Sequence, residues 1–320
     1  MYRPLLRRIR RNRFVSALAW RVATPLHAIA SWMSRLLAQK VKRNGGAVTY
    51  DGITLRFPPN VGVDFLSSIH WRGIEGFEPD VWRVLRELIP HSHCFVDAGA
   101  HIGFYAVLAK RLNPAIELFA FEPVPQAFAE AKQFLAANGI PAGGLFQVAL
   151  SDQDGDATLY LPASVGVSTC GSLASPRSNL QHAEIRVSCR RIDSFFSALS
   201  INAPITIKID VEDHEHAVLN GAKRLIQSFR PIIVCELLFR AHYNSKTIGL
   251  IDELDYAAFA ITREGCFRMN AIDFSYARSF RDFLLVPTER FGSDQCFLSF
   301  DRLGDLIHGS RHFHSNGQVK

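Results

Sequence analysis

From Phe95 onward, short apolar runs alternate with stretches whose apolar residues recur every three or four positions. The apolar runs predict strands at Phe95–Asp97, Ile116–Phe121, Leu145–Leu150, Ile205–Asp210 and Ile232–Glu236. The stretches between them predict helices at Phe104–Leu112, Pro125–Ala137 and Glu215–Ser228. Strands and helices that alternate this way build βαβ units, so the expected fold is α/β with a mostly parallel, doubly wound sheet. Ahead of this region, Ala47 to Phe57 alternates around Asp51-Gly52, a hairpin signal, and Pro58-Pro59 ends it. Pro79 to Leu88 reads as a helix with proline in its first turn, where the missing N–H costs nothing. Ser151 to Asn202 has no simple period. Leu159–Leu161 and Ile185–Val187 read as two short strands, and the Ser/Gly/Ala-rich stretch from Ser164 to Ser178 suits a binding loop or disorder equally. Ala257–Ile261 and Phe283–Val286 are further strand-like runs.

Charge separates the first segment from the rest. The chain of 320 residues carries a net +6, yet no Asp or Glu precedes Asp51. Arg3, Arg7, Arg8, Arg10, Arg11, Arg13, Arg21, Arg35, Lys40, Lys42 and Arg43 all do. Without those eleven, 25 basic residues stand against 30 acidic ones, a net of −5, and no nucleic-acid partner is expected. Apolar residues from Leu5 to Leu37 follow helical spacing, with Pro25 set to kink the helix. No run of about 18 uncharged apolar residues occurs, so a membrane span is not expected. Phe14 to Trp20 is short for a leader and lacks a clear cleavage site. Two readings of the segment stay open: a peripheral anchor on anionic membrane, or a solvated basic helix packed on the body.

The six cysteines, Cys94, Cys170, Cys189, Cys235, Cys266 and Cys296, are scattered without a C-x-x-C pair, which suits a reducing cytoplasm. His308, His312 and His314 lie in a tail rich in Gly, Ser and Asn that reads as a frayed terminus. No spacing demands a metal. The organisation expected is a basic helical extension (1–46), a hairpin and helix lead-in (47–90), an α/β core (91–288, with an excursion at 151–202) and a C-terminal segment with a flexible tail (289–320).

Candidate chemistry clusters at strand ends. Asp97, Gly99 and Gly103 form D-x-G-x-x-x-G after the first core strand. The dinucleotide fingerprint is G-x-G-x-x-G, with its pyrophosphate on helix N–H groups. Here Asp97 replaces the first glycine and the glycine spacing is longer by one. A carboxylate there repels a pyrophosphate but can receive an ammonium group, directly or through water. The exchange therefore favours S-adenosylmethionine, which carries an amine and a sulfonium, over NAD. Glu122 ends the next strand, where a carboxylate binds ribose hydroxyls in nucleotide folds. Ser151 and Asp152 end the third and could meet the adenine edge. Asp210 ends the fourth, with Glu212, Asp213 and Glu215 in the turn after it, and Glu236 ends the fifth. Ligands in open α/β sheets bind outside these strand ends. A carboxylate or a histidine there could remove the proton that methyl transfer to a hydroxyl releases. His214 and His242 read as surface histidines.

At these residues the chain resembles the FkbM family of methyltransferases. The family reads F-I/V-D-x-G-A-N-x-G-x-Y/F, then F-E-P, then A-L/V-x-D/N-x-x-G, and later K-I/L-D-V/I-E-G-x-E-x-x-V-L/I-x-G-A and P-x-I/L-x-x-E. The matching stretches here are Phe95 to Tyr105, Phe121 to Pro123, Ala149 to Gly155, Lys208 to Ala222 and Pro231 to Glu236. The resemblance spans roughly Gly76 to Pro287. It implies a Rossmann-like class I methyltransferase fold, with the N-terminal helical and hairpin extension added. It also implies S-adenosyl-L-methionine as donor and O-methylation of a sugar hydroxyl in a glycan, glycolipid or related metabolite. Asp97, Gly99, Gly103 and Glu122 match its cofactor positions; Asp210, Glu212 and Glu215 match its acidic motif. His101 replaces the usual Asn, and Asp213 the usual Gly. A catalytically silent module with the same fold is the alternative.

Overall fold

The computed structural model describes residues 44–61, 69, 72–162, 173, 182–197, 201–237, 244–269 and 280–307. The basic segment before residue 44, most of the loop from Ser164 to Ser178, Cys170, His242 and the histidine tail lie outside the described residues.

The hairpin β1 (Gly46–Tyr50) and β2 (Ile53–Phe57) turns on Asp51 and Gly52, both left-handed at φ 48° and 76°. Two positive φ values are what a tight type I′ turn needs, so Asp-Gly is well suited to it. Helix α1 (Pro79–Leu88) follows. The core then winds through β3 (Cys94–Ala98), α2 (Phe104–Leu112), β4 (Glu117–Phe121), α3 (Pro125–Ala137) and β5 (Leu145–Phe146). After an excursion, it continues with α4 (Ile192–Phe196), β9 (Ile205–Ile209), α5 (Glu215–Gly221), α6 (Lys223–Phe229) and β10 (Ile232–Glu236). Helix α7 (Asn244–Glu253) and strands β11 (Tyr256–Thr262), β12 (Gly265–Arg268), β13 (Asp282–Pro287) and β14 (Phe297–Leu298) complete the sheet, and α8 (Leu303–Ile307) packs on α1.

The nine strands run in the order β14-β12-β11-β13-β10-β9-β3-β4-β5. From β10 to β5 all pairs are parallel, and β13 is antiparallel to both its neighbours. The sheet is buried on both faces, as parallel sheets require. Phe95, Ile232 and Val234 pack with α1, α2 and α3 on one face. Cys94, Val96, Ile207 and Ile209 pack with α4 to α7 on the other. This is the doubly wound, Rossmann-like α/β architecture. Its strand order reverses between β3 and β9, where the chain leaves β3 toward one edge and later leaves β9 toward the other.

Three expectations are corrected. Leu145–Leu150 is not one strand: β5 ends the main sheet, and β6 (Ala149–Leu150) joins a second sheet of order β6-β8-β7. In that sheet, β7 (Gly155–Pro162) and β8 (His182–Arg190) form a hairpin much longer than the two short strands read from the sequence. The helix expected over Glu215–Ser228 breaks at Ala222 into α5 and α6. A β-carbon at Gly221 would lie 2.0 Å from the Ser151 carbonyl oxygen, so the break falls where the helix runs against that backbone.

Candidate active site

At the switch point the chain leaves β3 through Gly99, whose φ is 84°. The Gly99 and Ala100 amides donate to the Phe121 carbonyl at 3.0 and 2.9 Å, and the Asp210 amide donates to the Ala98 carbonyl at 3.0 Å. The ends of β4 and β9 are thereby tied to the glycine turn between them. A cavity of about 390 Å³ opens above it. Gly99, Ala100 and His101 form its floor, Glu122 and Val124 line one side, and Lys208, Asp210, Val211 and Glu212 line the other. Val148, Ala149, Leu150 and Leu159 add an apolar wall, and Phe77, Glu78, Phe104 and Tyr105 close the remaining side.

Glu122 is buried and held by two backbone donors, His101 N to Oε2 and Val124 N to Oε1, each at 2.8 Å. Burial pushes its carboxyl up to about 7, against the pull of those two bonds. The hydrogen bond from His101 needs the left-handed backbone there, φ 51°. Asn and His are among the non-glycine residues that accept this conformation best, so His101 can stand in the place of the family's Asn.

Asp97 does not line the cavity. It lies within β3, 1% exposed, as register partner of Lys208 on β9, and neither of its oxygens has a hydrogen-bond partner. Asp97, read from the sequence as a receiver of an ammonium group directly or through water, thus lies beneath the floor and not in the cavity lining. Burial pushes its carboxyl up to about 6; Lys208 pulls it down, and Asp210 and Glu78 push it further up. Gly103 is also outside the cavity: it caps α2 in a left-handed conformation. Ser151 and Asp152 lie just past the apolar wall, which Val148 to Leu150 form instead. The Ser151 hydroxyl meets His214 Nε2 at 2.9 Å. His214 lines the cavity, so its reading as a surface histidine is also corrected. Burial holds it below the usual histidine range.

The acidic motif divides. Asp210 and Glu212 line the cavity, whereas Glu215 and Glu236 do not. Glu215 turns back on its own loop, where Oε1 accepts from the Asp213 amide at 3.1 Å and the Val211 amide at 3.3 Å. That loop carries two successive left-handed residues, Glu212 (φ 57°) and Asp213 (φ 76°), so Glu215 is a brace for the turn. Glu236 reaches the site through Asp210. Burial and the Asp210 charge push the Glu236 carboxyl up to about 9, against the pull of the Arg281 guanidinium beside it, and Glu236 and Asp210 share a hydrogen bond.

Lys208, Glu78, Tyr105 and Arg281 are site groups that the sequence reading missed. The Lys208 ammonium is buried, 2.9 Å from Asp210 Oδ2 and 5.0 Å above the Tyr105 ring. Burial disfavours its charge, but Asp210, Glu78 and Asp97 outweigh that and raise its pKa. The Asp210 carboxylate is likewise opposed by burial and held below its usual range by Lys208 and Glu236. A lysine inside an otherwise apolar strand, two positions before a strand-end acid, was the available signal, because i and i+2 share a face. The site thus combines a cavity of about 390 Å³ with an apolar wall, the buried Glu122 carboxyl on one side and the Lys208–Asp210 pair on the other.

The chain is 27% identical over 146 residues to the 2-O-methyltransferase NoeI of Sinorhizobium fredii, covering 42% of this chain and 59% of that protein. It is 27% identical over 160 residues to the hexuronic acid methyltransferase AglP of Haloferax volcanii, covering 49% and 61%. The chain therefore spans about three fifths of the length of these curated relatives. Among solved structures it resembles Methyltransferase FkbM from Methylobacillus flagellatus KT, at 16% identity and a TM-score of 0.34, over 83% of this chain and 60% of that one. The model of the Methyltransferase FkbM domain matches residues 97–261, a stretch that runs from Asp97 through Glu122 and Asp210 to the end of β11. By that match, over more than half of its length, the chain belongs to the FkbM methyltransferase domain family.

Proposed function

We propose that the chain is an S-adenosylmethionine-dependent O-methyltransferase that acts on a sugar hydroxyl of a glycan, glycolipid or related metabolite. The observation that carries this reading is the pairing, in one cavity at the switch point, of the Glu122 carboxyl with an Asp210 carboxylate held ionised by Lys208. The residues fit the donor. Asp97 beneath the floor has two oxygens without a hydrogen-bond partner, and Glu78 and Asp210 add carboxyls to the cavity. Such a surplus of acids favours a cationic ligand and opposes a pyrophosphate, which argues against NAD. The names of the relatives, a 2-O-methyltransferase and a hexuronic acid methyltransferase, support a carbohydrate acceptor.

Glu122 would hold the donor's ribose, the wall from Val148 to Leu150 its base, and the Gly99 turn its middle. When bound, the donor supplies a methyl group on a positively charged sulfur, and its transfer to oxygen leaves a neutral thioether. Asp210 accepts the proton that the acceptor hydroxyl releases. Lys208 keeps it ionised for that role, and the hydrogen bond with Glu236 fixes its position. Glu212 stands at the same rim, where it can orient the sugar. The scattered cysteines support a cytoplasmic location.

Calorimetry with S-adenosylmethionine, S-adenosylhomocysteine and NAD, followed by methyl-linkage analysis of glycans from cells with wild-type or Asp210→Asn protein, tests the reading. Wild-type protein should bind the first two ligands, and Asp210→Asn should keep that binding and lose the methyl mark. Binding of NAD alone would overturn the assignment, and donor binding with no change in any glycan would point to the silent module.

A further inference from the structure

Glu78 lies in none of the motif stretches named above. It precedes the matched residues 97–261, in the lead-in before β3, yet it lines the cavity. Its backbone is left-handed, φ 41°, directly before Pro79 and the first turn of α1. A non-glycine residue in that conformation carries strain, which the surrounding structure has to hold in place. Its Oε2 accepts a hydrogen bond from the Tyr105 hydroxyl at 2.8 Å, and Tyr105 in turn lies under the Lys208 ammonium.

These groups make a charged patch on the β9 side of the cavity, across β3 from Glu122. Lys208 is the one Lys or Arg among the described residues that line the cavity. Around it stand Glu78 and Asp210, with Asp97 beneath. One ammonium among several carboxyls suits a ligand end that brings one carboxylate and one ammonium of its own. Asp210 already takes Lys208 on Oδ2 and a hydrogen bond with Glu236, and Asp97 lies behind the floor. Glu122 is held by two backbone amides across β3, and Glu212 lies on the loop past β9, so beside Asp210 the cavity-lining carboxyl of the Lys208–Tyr105 patch is Glu78.

We propose that Glu78 binds the α-ammonium of the donor's methionyl end while Lys208 meets its carboxylate, so that the lead-in segment completes the donor site and selects a ligand with a free amino-acid end. This rests on the S-adenosylmethionine reading above. Glu78→Gln keeps the shape and the acceptor for Tyr105 but removes the charge. The test is calorimetry on the full chain with two probes: S-adenosylhomocysteine, which has the amino-acid end, and 5′-methylthioadenosine, which lacks it. Glu78→Gln should weaken S-adenosylhomocysteine binding tenfold or more and leave 5′-methylthioadenosine within twofold of wild type. Tyr105→Phe, which keeps the Glu78 charge, should produce a smaller loss in the same direction. Unchanged S-adenosylhomocysteine binding in Glu78→Gln would overturn the proposal, and so would an equal loss for both probes, which would mark Glu78 as a support of the fold. Wild-type protein that binds neither probe would instead overturn the proposed function on which it rests.

Discussion

The Lys208 ammonium and Asp210 Oδ2 are 2.9 Å apart at the end of β9, with the lysine side chain almost wholly buried. The pair is not a surface ion pair of small worth. Lys208 also acts on Asp97 and Glu78, so its removal takes from three carboxyls the cation that lowers each of them most, and only Glu78 and Asp210 keep the weaker pull of Arg281. Lys208→Met should therefore cost about 3–5 kcal/mol of stability at neutral pH. Each stranded carboxyl would have a folded-state pKa above its unfolded value. Its stability contribution is then present at low pH and lost as pH rises, so the deficit should be larger at pH 8 than at pH 5. Urea titrations of wild type and variant at the two pH values check both the size and the sign.

Gly99 is needed for close approach as well as for its φ of 84°. A β-carbon there would stand 1.9 Å from the Asp210 carbonyl oxygen, and Asp210 is itself fixed by the hydrogen bond that its amide donates to the Ala98 carbonyl. Neither backbone can retreat without parting β3 from β9. Gly99→Ala should lose about 2–5 kcal/mol and abolish donor binding. Denaturant unfolding and calorimetry with S-adenosylhomocysteine measure the two effects separately.

Those two positions illustrate what the chain discloses by itself. Gly99, Glu122 and Asp210 stand at the ends of apolar runs, and strand-end position is a local property that periodicity reveals. The parallel sheet follows from the same alternation. Glu78 and Arg281 could not be found this way, because the sheet order and the packing of α1 bring them to the site from outside the βαβ region. Glu215 misled for the opposite reason. Its place in the motif resembles that of its acidic neighbours, but a side chain in the first turn of a helix can fold back to brace the preceding loop. The break at Ala222 follows Gly221, which runs against Ser151, 70 positions before that glycine, a contact with no trace in the helical period.

Asp213 occupies a position where the family carries glycine, and its φ of 76° explains the preference. The hydrogen bond that its amide donates to Glu215 needs no side chain. Asp213→Gly should relieve about 1–3 kcal/mol of backbone strain, less the larger entropy that glycine loses on folding, for a net gain of about 1 kcal/mol. Differential scanning calorimetry should show a melting temperature higher by about 1–3 °C. An unchanged or lower value would mean that the aspartate side chain offsets its own strain.

Glu215 offers a test through pH. Burial raises its carboxyl from 4.5 to about 7, although the Val211 and Asp213 amides pull the other way. A folded-state pKa above the unfolded one means that the contribution of Glu215 is fully present below about 4.5 and is lost as pH rises through about 7. The gap corresponds to about 3 kcal/mol. Glu215→Gln retains a carbonyl to accept both amides and never ionises. Asp97, Glu122 and Asp282 are also raised, so the wild type alone would show a composite slope, and the difference between the two proteins isolates Glu215. Urea unfolding from pH 4.5 to 8.5 should show the variant equal to or below wild type at the acid end. Above pH 7 it should be more stable by up to about 3 kcal/mol, with the crossover between. A difference that stays constant across this range would mean that Glu215 keeps its ordinary carboxylate behaviour in the folded chain.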